Sequence, residues 1–181
     1  MAVFALVTAG IYQVFIPVLK FARSTNERLY VQQDVRLAMD RMARDIRESV
    51  TASLHVYPWP PDTSGPAIAV VTARPNCSGT FTLNPGTGGA DPQAVVYLVW
   101  DQASGELRRY CDTSTTRANP AAPVTAGPYT VLARNVQNLT FTRVTHPVSQ
   151  DISIRIDLQA QTPRGDAERY IRTEFVPHNE F

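Results

Sequence analysis

The residues of this 181-residue chain that could do chemistry are few and scattered. Its three histidines, His55, His146 and His178, stand far apart and lack the short spacings that gather zinc ligands. Serines and acids occur throughout, but no spacing ties a serine to a histidine, so no hydrolytic centre is expected. Asp91, Asp101, Asp112 and Asp151 could suggest calcium, yet no run of alternating oxygen ligands of the EF-hand type surrounds them; they read as solvated surface. Arg108 and Arg109, beside Tyr110, could touch nucleic acid, but two arginines on a strand read first as solvent-facing. Cys77 and Cys111 leave two readings open, a bond between them or two buried thiols. No cofactor motif is present, so neither an enzyme nor a cofactor is expected.

The interest therefore moves to the elements. The chain is long enough for one domain with a real core plus an appendage. Seventeen basic residues against sixteen acidic leave a net charge of +1, which gives no field favouring nucleic acid or acidic ligands. Fourteen prolines fall mostly between residues 58 and 128, which places loops there.

The chain opens MAVFALVTAGIYQVFIPVLKFAR, and its first charge is Lys20. As a helix, Met1 to Leu19 would extend about 29 Å at ~1.5 Å per residue, just enough for a bilayer core of ~30 Å. Thr8, Tyr12, Gln13 and Pro17 suit a helix that packs on other helices better than a lone span. With no basic leader and no small-residue cleavage site, it is not a signal peptide. Lys20, Arg23 and Arg28 lie on its C-terminal side, which by the positive-inside rule would hold the body in the cytoplasm unless basic residues stand upstream.

Residues 24 to 57 continue the helix. Val31, Val35, Met39, Met42, Ile46, Val50 and Leu54 recur at steps of three and four, forming one apolar stripe that should pack on a sheet. Asp40 with Arg44, Arg41 with Asp45 and Arg44 with Glu48 are i,i+4 pairs on the other faces. No Gly or Pro interrupts residues 18 to 57, and the prolines of Tyr57-Pro58-Trp59-Pro60-Pro61 end the helix. The reading is thus an apolar half-helix (1–23), an amphipathic half-helix (24–57) and a β-rich head (58–181).

Within the head, DISIRIDLQA (151–160) alternates strictly, and NLTFTRV (138–144) alternates with Leu139 and Phe141 inward. AVVYLVW (94–100) is a buried run joined to GELRRYC (105–111) across a hairpin turn at Gln102-Ala103-Ser104. AIAVVTA (67–73), TFTL (80–83), YTVLA (129–133) and ERYIRTEFV (168–176) complete an antiparallel sheet, with loops at 84–93 and 112–128. The fold class is α+β, a long N-terminal helix packed on an antiparallel sheet.

AVFALVTAGIYQVF followed by VQQDVRLAMDRMARDIRES resembles the type IV pilin-like proteins, closest to the minor pilins and pseudopilins of the PilW and GspJ/PulJ kind. The hairpin AVVYLVWDQASGELRRYC and the ending VLARNVQNLTFTRV…DISIRIDLQA resemble the head strands of that family. The family's basic leader, cleavage glycine and early glutamate are not found in this sequence, whose first acid is Glu27, so the resemblance implies that they stand upstream of Met1.

The resemblance implies a filament subunit with no catalytic centre. Phe4, Leu6, Ile11, Phe15, Ile16 and Leu19 would face lipid first and sister helices later, with Ala5, Ala9 and Gly10 allowing close approach and Pro17 kinking the helix. Val35, Met39, Met42, Ile46 and Val50 would hold the head. Its partners would be other pilin or pseudopilin subunits, the inner membrane, an assembly platform and a prepilin peptidase acting on the precursor, with nucleic acid not among them. An extracytoplasmic head, first in the inner membrane and then in a pilus or pseudopilus, favours a Cys77–Cys111 disulfide. The other class the residues allow is a single-pass membrane-anchored sensor or adaptor with the same head and no filament role.

Overall fold

The computed structural model describes residues 2–49, 54–57, 64–77, 92–114, 122–147, 152–163, 165 and 168–177, with the backbone alone described for residues 2–9. One helix, α1 (Ala2–Arg47), is followed by β1 (His55–Tyr57), β2 (Ser64–Gly65), β3 (Ala67–Thr72), a 3-10 turn (Pro75–Cys77), β4 (Ala94–Asp101), β5 (Glu106–Asp112), β6 (Tyr129–Ala133), β7 (Val136–Thr145), β8 (Ile152–Gln161) and β9 (Glu168–Phe175). The architecture is α+β, with the long N-terminal helix against antiparallel sheets.

The strands form two sheets where the sequence suggested one: β1-β3-β4-β5-β6 and β2-β7-β8-β9, all neighbours antiparallel. The chain changes sheet three times: the link from β1 to β2 lies outside the described residues, and the other two changes each fall at a residue that interrupts a ladder. Pro66, which has no N–H to give, separates β2 from β3. Arg134 and Asn135 separate β6 from β7, and Asn135 sits at φ 56° in the left-handed region that asparagine tolerates. Gly105 ties the β4–β5 turn to this second corner. It takes φ 65°, its N–H reaches the Asp101 carbonyl at 2.9 Å, and its carbonyl accepts from the Val136 N–H at 2.9 Å. The Trp100 indole N–H reaches the Val136 carbonyl at 3.3 Å and closes the joint.

The two sheets differ in how they are covered, and their sequences differ accordingly. The sheet containing β4 is buried on both faces: Ile68, Val70, Val96 and Leu98 face the main core, while Ala69, Val71, Val95 and Tyr97 face a second cluster with Tyr57 and Tyr110. That is why β4 reads as a continuous apolar run. Ser153 aside, the sheet containing β8 buries one face only, so Ile154, Ile156, Leu158 and Ala160 are fully buried and alternate with polar residues. Leu139 and Phe141 of β7 join them in the main core.

The second half of α1 completes that core. Val31, Val35, Ala38, Met39, Met42 and Ile46 are buried, and the helix contacts β3, β6, β8 and β9. A fully buried Met or Ile side chain contributes roughly 1.5–3 kcal/mol, so this one stripe holds the helix against the head.

The helix is shorter than its sequence suggested. It ends at Arg47, and residues 55–57 are strand β1, paired with β3. The Ser49 hydroxyl donates to the Ile46 carbonyl at 2.6 Å and Ser49 bridges to Thr72, drawing the chain off the helix axis into the sheet. Absence of Gly and Pro was a poor guide here, because Ser49, Val50, Thr51, Ser53 and Val56 are all weak helix formers. Leu54, which continued the stripe in sequence, is buried in the main core from outside the helix. TFTL (80–83) and the loop at 84–91 lie outside the described residues.

Candidate functional site: one helix with two environments

The surface of α1 changes character along its length. From residue 10 to residue 30 no side chain is buried, and the large apolar ones are open: Ile11 61%, Tyr12 60%, Val14 68%, Phe15 56%, Ile16 48%, Val18 57%, Leu19 44% and Phe21 73% exposed. Among the described side chains the first buried one is Val31. An exposed apolar belt on a single helix, with a water-filled surround, is unfavourable at roughly 25 cal/mol per Å². Eight large apolar side chains lie open within eleven residues, a density that single scattered surface hydrophobics do not reach. Among the described residues, no helix is long and apolar enough to cross a membrane. Phe4 and Leu6 lie outside the described side chains, as do Ala5 and Ala9; Pro17 is inside the helix, and Gly10 has open space where a Cβ would stand.

The other half of the helix is held by more than apolar packing. Asp45 and Arg109, each with a side chain 9% exposed, form a forked ion pair: Nε to Oδ2 at 2.7 Å and Nη2 to Oδ1 at 3.1 Å. The same Nη2 donates to the Cys77 carbonyl at 2.9 Å. One guanidinium thus joins α1, β5 and the 3-10 turn. The turn presents its carbonyl to Arg109 by an uncommon route, with Asn76 and Cys77 both left-handed at φ 54° and 53°. Cys77 is bonded to Cys111 of β5, with Cα atoms 5.9 Å apart, which keeps the turn in place. A second fork, Arg74 to Glu48 at 2.6 and 2.9 Å, fastens the end of the helix to the end of β3. Hydrogen bonding to Glu48 holds the Arg74 guanidinium above its ordinary range.

Arg109 is a correction to the solvent-facing expectation. It shares a strand face with Leu107, which is fully buried, so Arg109 points inward. Arg108 faces the other way. Its Nη1 lies 2.7 Å from Asp101, its Nη2 2.9 Å from Glu106, and its guanidinium stacks over Tyr129 at 4.5 Å. Asp45 and Glu48, drawn in sequence as partners of Arg41 and Arg44, reach instead across to the head. The signal for the clamp was present: Asp45 flanks the stripe beside Ala38, and Arg109 alternates in phase with Leu107 and Cys111.

The structure does bring one Ser, His and acid together. Ser153, His146 and Glu174 meet where β7, β8 and β9 run side by side, but the arrangement is not that of a nucleophile. The Ser153 hydroxyl donates to Glu174, and His146 Nε2 lies 3.3 Å from that hydroxyl and 3.2 Å from the same carboxylate oxygen. A triad needs the hydroxyl proton on the histidine and the carboxylate on the other ring nitrogen. Ser153 is also fully buried. The hydroxyl, followed by Arg155 at 3.3 Å, holds the Glu174 carboxyl below its ordinary range, so the cluster is a cross-strand tie. Asp101 and Asp112 cap their own turns, through the Ala103 N–H at 3.1 Å and the Ser114 N–H at 2.9 Å. Among the described residues no group of His, Cys, Asp and Glu is placed to hold a metal ion. Asp91, Asp151 and His178 lie outside the described residues.

Of the helix–sheet residues read from sequence, Val35, Met42 and Ile46 are fully buried and Met39 is 7% exposed; Val50 lies outside the described residues. The long helix, its packing on antiparallel sheets and the disulfide are compatible with a pilin-like architecture. Comparison with protein-family models, with curated proteins and with solved structures finds no match.

Proposed function

We propose that this chain is a structural subunit of the type IV pilin-like kind, a minor pilin or pseudopilin, that assembles through the apolar half of α1. One observation carries the reading. A single helix passes from a belt of exposed apolar side chains at residues 11–21 to a buried stripe ending at Ile46, while a disulfide braces the head that the stripe enters. A disulfide fits an extracytoplasmic location. The belt then has two successive apolar surroundings open to it, first lipid in the inner membrane and then the belts of sister helices. In the filament, van der Waals packing along Ile11, Phe15, Ile16 and Leu19 would hold subunits together. On this reading the subunit works by packing, with no catalytic step.

The test separates assembly from anchoring. Phe15→Asp with Ile16→Asp places two charges in the belt and touches nothing in the head. The expected result is a head that melts normally and subunits that no longer enter surface filaments or support secretion. Filaments formed at normal levels by this variant would refute the assembly role. The alternative is a single-pass sensor or adaptor with the same head. It predicts a native N-terminus untouched by a prepilin peptidase, read directly by intact-mass spectrometry, whereas the filament subunit predicts a processed one.

A further inference from the structure

Between the belt and the first buried residue, α1 has a neck with an unusual surface. Lys20, Phe21, Arg23, Arg28, Leu29 and Tyr30 are all exposed, with Phe21 73%, Leu29 50% and Tyr30 67% open. Three cations face one acid, Glu27, within nine residues, in a chain whose charge is otherwise close to balanced. Lys20 is the chain's single lysine. As helix, Lys20 to Tyr30 rises about 15 Å.

We propose that this neck is a docking surface for anionic phospholipid headgroups, at the face of the membrane in which the belt is held; this rests on the membrane reading above. Two observations choose lipid over other polyanions. The first is position: Lys20 and Arg23 follow directly on the apolar belt, within one turn of Leu19, at the level of the headgroup layer. Each leaflet's layer is roughly 5–8 Å deep. The second is the interleaving. A neck that stood in water would gain nothing from open Phe21, Leu29 and Tyr30, and a nucleic-acid backbone would leave Leu29 uncovered. Aromatic and apolar side chains alternating with basic ones match the interfacial region, where rings lie among headgroups and long cationic side chains reach phosphates. Pro17, inside the helix, removes the backbone bond to the Gln13 carbonyl and lets the neck lean toward the surface, which brings Arg28 within reach.

The consequence is a catch on the subunit. An anionic leaflet holds the neck until helix–helix contacts in a growing filament draw it away. Each basic residue near an anionic surface raises binding roughly fivefold, so three give about 100-fold.

The experiment is flotation of the full chain with preformed vesicles, either phosphatidylcholine alone or equal parts phosphatidylcholine and phosphatidylglycerol. Binding to phosphatidylcholine alone reads the belt, and the ratio between the two vesicle types reads the neck. We expect a ratio of about 100 at low salt that collapses at about 0.5 M NaCl. We expect it to fall to near one in Lys20→Gln/Arg23→Gln/Arg28→Gln and to be retained in Arg23→Lys/Arg28→Lys. A wild-type ratio near one overturns the neck and leaves the belt reading standing. A high ratio without binding to phosphatidylcholine alone upholds the neck and counts against the belt. A ratio unchanged by the Gln substitutions, or tighter capture of a DNA duplex at equal phosphate concentration, overturns the assignment.

Discussion

Asp45 and Arg109 are 64 residues apart in the chain and form a forked ion pair with side chains only 9% exposed. Their bond crosses from the long helix to an inner strand of a sheet, and Arg109 gives a further N–H to the Cys77 carbonyl. Both sets of bonds reach outside the strand that carries Arg109, one to the helix and one to the turn at Cys77. The apolar stripe of α1 could shift by a turn along the core and still bury Met and Ile side chains. A planar fork fixed on both sides cannot.

Removing one partner should therefore cost more than the pair contributes. Asp45→Ala leaves a guanidinium buried with one carbonyl for company, and such a break typically costs about 3–5 kcal/mol. The double variant Asp45→Leu/Arg109→Met removes both charges and should regain much of that loss. Chemical denaturation of the two single variants and the double completes the cycle. Additive losses would show that the fork is not coupled.

The disulfide supports the same arrangement from behind. Cys77 and Cys111 are 34 residues apart, and closing a loop of that size stabilises by roughly 3.5–4 kcal/mol on the chain-entropy account. Cys77→Ser/Cys111→Ser should lower stability by about that amount, measured by guanidinium unfolding with and without reductant. Unfolded, unreduced protein should show no free thiols in Ellman titration. Since the bond also positions the Cys77 carbonyl, the loss on Cys removal and the loss from Arg109→Met should be less than additive.

What could be read from the sequence followed from how each surface is covered. The helical stripe and strand β8 each bury one face, so their periodicities stand out, and β4, buried on both, stands out as a run. The division into two sheets had no periodic signature. It depends on Pro66 and Asn135 ending ladders, and on which strands then find each other. The end of the helix was misread because lack of breakers is not the same as helix preference, and β1 exists only through its pairing with β3. The clamp was legible in pieces, Asp45 from helical phase and Arg109 from strand alternation, but nothing local says that the two meet.

The two faces of α1 give a direct comparison of substitutions within one element. Met42 is fully buried and Leu37, five residues earlier, is 67% exposed. Met42→Ala should cost about 2–5 kcal/mol, a fall in melting temperature of roughly 4–20 °C for a chain this size. Leu37→Ala should stay within about 0.5 kcal/mol. Thermal melts followed by circular dichroism distinguish these; equal shifts would mean that the helix is not seated as described.

Acid should loosen the β8–β9 pair before the rest of the head. Burial pushes the Asp157 carboxyl up, but the Tyr170 hydroxyl at 2.6 Å and Arg172 outweigh it, and the net direction is below the ordinary aspartate value of 3.8. Glu174 is lowered from its ordinary 4.5 by the Ser153 hydroxyl first and Arg155 next. A carboxyl depressed in the folded state contributes stability that is complete above its unfolded value and lost as pH falls through the folded one. Asp157→Asn/Glu174→Gln should accordingly melt lower than the wild type near neutral pH. The gap should narrow as pH falls below about 4.5 and close only once the pH lies below the folded-state values of both carboxyls. Because both groups are near the surface, the gap should be modest and should shrink with added salt. A gap that persisted unchanged into acid would mean that these ties hold the strands by shape rather than by charge.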